Sequence, residues 1–380
     1  CFCSSQILES QRAEAEKKGQ GFLYPRTCFE LERGQVEGRI ASGEPHIIRF
    51  LMPRENTRFN DLLRGEVDVP PDALDDFILL RSDGSPTYHL SVVSDDIDMG
   101  ITHVVRGDDH LSNTPKHIRL FEALGAPVPV FAHLPLVLGE DKKKLSKSSG
   151  AVSVEEFREQ GILPQALFNY LALLSWTPQG TDAELLSKEQ MAPLFQIERL
   201  SASASVFDTT KLQWYNGRYI STLPIQELLH YLRPFLDRTG VRVGDEARLE
   251  RAVELHRTRP RTLVELAAAV KPYFVDTLQY ENGITKEFAG QNDLPSLLGA
   301  LKGKFAQAQP WDKDALEKAL RELAEERGVK AGALIHPVRM AVTASKVGPG
   351  LFDVLEVMGK EGTFKHLNAF MAALRGSVAH

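Results

Sequence analysis

The sequence predicts an α/β portion followed by an all-α portion, the first holding part of a nucleotide-binding fold. Three observations point there. Strand-like and helix-like segments alternate from Phe77 to Leu138, the character turns helical beyond a loop at 139–151, and from about residue 215 nearly every apolar spacing is helical.

In chain order, residues 1–80 are mixed. His46–Leu51 and Gly65–Val69 have strand composition, broken by Pro53, Pro70 and Pro71, which predicts a small α/β module. Phe77–Leu80 then reads as a strand, Tyr88–Met99 as a helix, Ile101–Arg106 as a strand, Ser112–Leu124 as a helix and Val128–Leu138 as a strand. This alternation predicts a parallel sheet with crossover helices, half of a nucleotide-binding fold whose other half is expected upstream. Ser153-Val154-Glu155-Glu156 fits a capping box, so a helix is expected to begin there. Leu167, Tyr170, Leu171 and Leu174 give the next helix an inward face, with Gly180 in the turn beyond it. Asp314–Arg327 places Ala315, Leu316, Ala319, Leu320 and Leu323 on one face and stops at Gly328, a residue suited to the left-handed position after a helix. No repeat, long heptad run or low-complexity tract is present.

Composition narrows the function. The 45 basic and 51 acidic residues leave a net charge of −6, the wrong sign for gripping nucleic acid by bulk attraction. RNA contact is therefore expected from a local patch, and Arg251, His256, Arg257, Arg259 and Arg261 form the densest one; a solvated helix end is the alternative. No apolar run is long enough to cross a membrane and the first residues lack the features of a secretory signal, which predicts a cytoplasmic protein with no membrane partner. The chain opens without Met and inside a cysteine motif, Cys1-Phe2-Cys3, so truncation at this end is expected.

The basic loop Gly139–Gly150 follows directly on a predicted strand. Its lysines can fold over a triphosphate and neutralise charge that grows on departing phosphates, although Lys/Ser loops are also common surface features. Upstream, Ser85-Pro86-Thr87-Tyr88-His89-Leu90, the pair Asp95-Asp96, and Met99 to Leu111 with its Arg106-Gly107-Asp108-Asp109 corner form a second block, followed by Thr114-Pro115. An arginine at the carboxyl end of a strand faces the crevice of a parallel sheet, and its planar fork suits a carboxylate. Arg106 is thus the first candidate for substrate binding and Tyr88 the second; a surface ion pair and a packed aromatic are the alternatives.

Lys144-Leu145-Ser146-Lys147-Ser148 resembles the KMSKS signature of class I aminoacyl-tRNA synthetases, with Leu in the Met position. The second block resembles the core of bacterial-type glutamyl-tRNA synthetases, Phe50–Val67 resembles their connective peptide, and Pro337–Thr343 with Gly348–Phe352 and Gly359-Lys360-Glu361 resembles the end of their helical anticodon-binding region. The resemblance implies a partial Rossmann-like class I synthetase core with a connective-peptide insertion, then helical domains. It assigns 1–80 to the acceptor-binding insertion, 81–150 to the second half of the catalytic domain, 151–215 to a stem-contact domain and 216–380 to an anticodon-binding domain.

It further implies ATP-dependent activation of L-glutamate and transfer to the 3′ end of glutamate tRNA, with Mg²⁺ accompanying the ATP. Lys144 and Lys147 would be the catalytic lysines, Lys144 to Ser148 the ATP-binding segment, and Tyr88 and Arg106 the glutamate-binding pair. Arg257 and Arg259 would contact tRNA. Charging of glutamine tRNA as well is left open, and a monomer is expected. The His-x-Gly-His element that partners the lysine loop in this class does not occur among these residues, so the fragment alone is expected to be inactive. Where the family often has Arg-His after the second lysine, this chain has Ser148-Ser149, which leaves the loop's phosphate contacts open.

Three cysteines, Cys1, Cys3 and Cys28, are all the chain has, and an odd count argues against a disulfide framework. Their C-x-C-x24-C spacing resembles a zinc motif of some family members, completed there by a His at the place of Glu30. Glu30 could serve through carboxylate oxygen and Tyr24 is the alternative fourth ligand; a degenerate remnant is the other reading. Among relatives sharing the core, glutaminyl-tRNA synthetase ends in β-barrels and the glutamyl-queuosine enzyme stops soon after the lysine loop, whereas a long helical stretch follows here. A non-catalytic tRNA-binding paralogue is the alternative from another functional class.

Overall fold

β-branched and aromatic residues bounded by turn formers produce six short strands: β1 (Ile48–Arg49), β2 (Thr57–Asp61), β3 (Gly65–Val69), β4 (Ile78–Leu80), β5 (His103–Gly107) and β6 (Val130–Leu134). The structure is a computed structural model that describes residues 1–17, 19, 21–145, 153–280, 288 and 293–377. Four strands make one sheet in the order β3-β2-β6-β5. β5 and β6 run parallel, joined by the 3₁₀ turn Asp108–Asn113 and the helix Thr114–Ala123, as expected for a crossover unit. β2 continues the parallel pairing through Asp61 opposite Phe131, while β2 and β3 form an antiparallel hairpin. The sheet is therefore mixed.

The expected place of Phe77–Leu80 in the parallel sheet is corrected: β4 pairs antiparallel with β1 in a separate two-stranded ribbon. The cause is packing, since Phe77 is committed to a core with Met52, Leu74, Val93, Leu120 and Phe121. Only Ile48 and Arg49 of the predicted His46–Leu51 strand form a ladder. The helix expected to begin at Ser112 starts at Thr114, with Pro115 in its first turn, because the 3₁₀ turn takes the preceding residues.

The chain divides into two compact units. The first comprises 1–145, 173–182 and 191–207, so the hairpin 57–69 lies within the same unit and sheet as β5 and β6, and the expected boundary at 80 runs through that sheet. Segment 191–207 joins this unit because Leu138 N–H donates to Ser205 O at 2.9 Å and Phe207 N–H donates to Leu138 O at 2.8 Å.

The second unit comprises 146–172, 183–190 and 208–380 and is helical throughout its described secondary structure. Its capping box at Ser153 and Glu156 is formed in both directions. Buried Asn216 ties three segments together: its Oδ1 accepts from Leu163 N–H at 2.8 Å, and its amide donates to Gly161 O at 3.0 Å and Arg261 O at 2.7 Å. Gly161 has φ +79°, and a Cβ there would lie 2.8 Å from the backbone nitrogens of Leu263 and Val264, so only glycine fits. Leu171, expected to face inward on the helix Pro164–Ser175, is exposed, while Leu167 and Tyr170 are buried. Helix Lys313–Glu326 is capped by Asp312, buries Leu316, Ala319, Leu320 and Leu323, and is followed by Gly328 at φ +64°.

Candidate active site

Parallel register sets His133 of β6 directly beside Arg106 at the carboxyl end of β5. Gly107 follows, where a Cβ would fall 2.6 Å from Asp109 Oδ1. The half-buried Arg106 guanidinium is held on several sides. Its Nε donates to His133 Nε2 at 3.1 Å, one Nη donates to Thr114 Oγ1 at 2.8 Å, and the other faces His117 Nδ1 at 3.4 Å. These partners are imidazole nitrogens and a hydroxyl. No carboxylate of the described residues lies within ion-pair distance of Arg106. Burial draws its pKa below the ordinary arginine range, while Tyr88, Asp96 and Asp109 act in the opposite direction; a guanidinium nonetheless stays charged at neutral pH.

Tyr88 opens the helix Tyr88–Asp98 and remains 48% exposed. Its ring packs against His110 and His117, each with centroids 5.8 Å away, and its hydroxyl lies 3.5 Å from His110 Nδ1. His89 Nδ1 and His117 Nε2 are 3.1 Å apart. Burial, aided by Lys116 and Arg106, holds His89 down at about 4; burial, then Arg106 and His89, holds His117 down at about 3. Both rings are uncharged at neutral pH. Tyr88 and Arg106, named from sequence for substrate binding, thus share one histidine-lined corner.

A tight turn brings Lys144 back beside Leu138: Gly139 N–H donates to Lys143 O at 2.8 Å, and Lys142 takes φ +60°. Exposed Lys144 reaches to 3.7 Å from Asp109 Oδ2, in the turn that follows Arg106. Leu145 N–H donates to Val137 O at 3.1 Å, and Ser146, Lys147 and Ser148 lie outside the described residues.

The three cysteine sulfurs gather within 4.8 Å of one another. Tyr24 Oη stands 3.1 Å from Cys1 Sγ and 3.6 Å from Cys3 Sγ, and Cys3 and Cys28 sulfurs are 3.6 Å apart. Zinc–sulfur bonds of about 2.3 Å in a tetrahedron put sulfurs about 3.8 Å apart, so this set fits the ion. Burial pushes the Cys28 thiol up, but the Phe2 N–H, the Tyr24 hydroxyl and Cys3 outweigh it and hold it below its usual range. Exposed Glu30 is not among the groups gathered here, whereas the hydroxyl of buried Tyr24 lies beside two of the sulfurs.

The basic patch is also corrected. Arg257 is 7% exposed; its Nε donates to Ile220 O at 3.2 Å, one Nη donates to Leu223 O and the other pairs with Glu254. It closes the carboxyl end of the helix Thr209–Thr222 and has no face left for a phosphate. His256 is buried against Tyr273, with Nε2 3.0 Å from the hydroxyl, and Arg251 pairs with Glu356 at 2.9 Å. Arg259 and Arg261 keep exposed side chains.

Sequence patterning does not single out Asp61, Thr114, His117 or His133 for a role at Arg106. A histidine inside the apolar run Val130–Leu134 is the available signal, since a polar residue in a buried strand needs a partner.

The family model for class I tRNA synthetases (E and Q), catalytic domain, matches residues 1–214, and that for an anticodon binding domain matches 227–371. Glutamate–tRNA ligase 1 of Caldanaerobacter subterraneus is 40% identical over 96% of this chain and 76% of its own length. The glutamate–tRNA ligase of Geotalea uraniireducens is 42% identical over 99% of this chain and 79% of its own. The chain belongs to the glutamate–tRNA ligase family of class I synthetases. A crystal structure of a family member from Elizabethkingia meningosepticum, in complex with its amino acid, superposes with a TM-score of 0.84 at 28% identity, covering 98% of this chain and 79% of that one. Class I synthetases use ATP and Mg²⁺. Among the described residues no helix is long and apolar enough to cross a membrane.

Proposed function

We propose that this chain carries out the glutamate–tRNA ligase reaction through the corner around Arg106. A glutamate carboxylate oxygen attacks the α-phosphorus of ATP, pyrophosphate leaves, and the terminal adenosine hydroxyl of tRNA then takes the glutamyl group with release of AMP. No covalent bond to the protein is needed; alignment and charge stabilisation supply the acceleration. The observation that carries this reading is a half-buried arginine oriented by neutral groups and free of any described carboxylate, with Tyr88 alongside. Such a guanidinium keeps its charge for an anionic substrate.

Lys144 and Lys147, with Leu145, Ser146 and Ser148, are proposed to contact the ATP phosphates. Residues 1–80 are proposed to meet the acceptor end of glutamate tRNA, 81–150 to hold the second half of the catalytic fold, 151–215 to contact the stem and 216–380 to bind the anticodon arm. The match of 227–371 to an anticodon-binding model supports the last. Of Arg257 and Arg259, only Arg259 is retained as a tRNA contact. Zinc is proposed on Cys1, Cys3 and Cys28 with Tyr24; the ion would fix the fold of this segment. A monomer and a cytoplasmic location belong to the same proposal.

The test is glutamate charging of purified glutamate and glutamine tRNAs by the full-length protein. Charging of one tRNA or both is expected. Tight tRNA binding with no charging would favour a non-catalytic tRNA-binding paralogue.

A further inference from the structure

We propose that the buried pair Asp61 and His133 is a positioning device for Arg106, which locks one tautomer of His133 so that a neutral acceptor always faces the guanidinium. The inference rests on the reading of Arg106 as the carboxylate-binding group. It explains how a half-buried charge is aimed without being cancelled.

Arg106 Nε carries a hydrogen and cannot accept one. Its 3.1 Å contact therefore makes His133 Nε2 the acceptor, and the neutral ring's hydrogen must sit on Nδ1. Nδ1 points at Asp61 Oδ2, 2.6 Å away, with both side chains fully buried. Asp61 is itself immobilised: its Oδ1 accepts the backbone N–H groups of Leu63 at 3.0 Å, Arg64 at 2.9 Å and His133 at 3.3 Å. Burial pushes the Asp61 carboxyl up, but His133 and these backbone donors outweigh it and hold it below the usual carboxylate range. Thr114 completes the corner. Its Oγ1 accepts from Arg106 and lies 3.0 Å from the same His133 Nε2.

A carboxylate placed directly on Arg106 would orient it but neutralise it, leaving less for the substrate. Water would leave it charged but unaimed. An imidazole orients without neutralising, and Asp61 stays one ring's width behind. The tautomer is set by the hydrogen bond on the far side of the ring, the same logic by which an aspartate orients a catalytic histidine. Asp61→Asn should reverse it. The three backbone donors keep the amide oxygen at the Oδ1 position, the amide NH₂ then faces Nδ1, and the ring's hydrogen moves to Nε2 against the Arg106 N–H.

Two measurements decide the matter. In ¹⁵N-labelled 380-residue protein at neutral pH, two-bond ring correlations should show His133 as the Nδ1–H tautomer; the Nε2–H form or a doubly protonated ring overturns the proposal. In the full-length enzyme, Asp61→Asn and His133→Phe should each raise the glutamate KM by about tenfold or more, with the ATP KM unchanged, as expected for misdirecting one charge-assisted hydrogen bond. His133→Gln, whose side-chain oxygen can take the place of Nε2, should restore most of the loss, which a merely structural role would not predict. If Arg106→Ala leaves the glutamate KM unchanged, the carboxylate reading itself is wrong. If Arg106→Ala raises it while Asp61→Asn and His133→Phe do not, the reading stands and the positioning role is refuted.

Discussion

Arg106 in the sheet unit and Arg257 in the helical unit are both arginines drawn away from water, yet they do opposite work. Arg257 spends its donors on the carbonyls of Ile220 and Leu223 and its charge on Glu254, so it stitches a helix end and offers nothing outward. Arg106 is held by His133, Thr114 and His117, none of them a carboxylate, and is only half-buried. The chemistry of the partners, more than the depth of burial, decides whether a buried cation is structural or available.

The largest expected effect comes from cutting the available arginine. Arg106→Ala should lower kcat/KM for glutamate by about 100-fold, from the roughly 3 kcal/mol lost with a desolvated charge contact, while the melting temperature scarcely moves. Arg257→Ala should do the reverse. Stranding the Ile220 and Leu223 carbonyls is expected to cost about 2 kcal/mol of stability, read by denaturant midpoint, with glutamate kinetics unchanged. An Arg257→Ala protein of full stability but weakened tRNA binding would break the comparison.

The histidines sharpen it next. His117 is held at about 3 and His256 at about 4, both through burial first, against an unfolded value near 6.5. Folded chains therefore bind fewer protons than unfolded ones. Stability is complete above about pH 6.5 and is lost as pH falls toward these values, by on the order of 1 kcal/mol per pH unit for each ring. Melting curves from about pH 7 to about pH 5 should show this slope, reduced in His117→Gln and in His256→Gln; a flat profile would mean that neither ring is desolvated as the structure implies. The smallest effect is at Arg259, exposed beside the buried Arg257: Arg259→Ala should weaken tRNA binding a few-fold and lower the salt dependence by about one counterion.

Much of this was legible in the sequence because it is local. The crossover from β5 to β6, the capping box at Ser153 and the Arg106 corner depend on neighbours within one or two elements, and the motif order that resembles glutamyl-tRNA synthetases agrees with the family match. Failures came where distant segments decide. Arg257 reads as a surface charge until its packing against the end of another helix is known. Likewise, nothing near Asp61 in sequence announces that it stands behind His133, since the sheet order that joins them is set by β2 crossing to β6.

A structure of the full-length enzyme with L-glutamate bound tests the central claim most directly. The account predicts a glutamate carboxylate oxygen within hydrogen-bonding distance of the Arg106 guanidinium, with the His133 contact retained. Glutamate bound with both carboxylates away from Arg106 would contradict it.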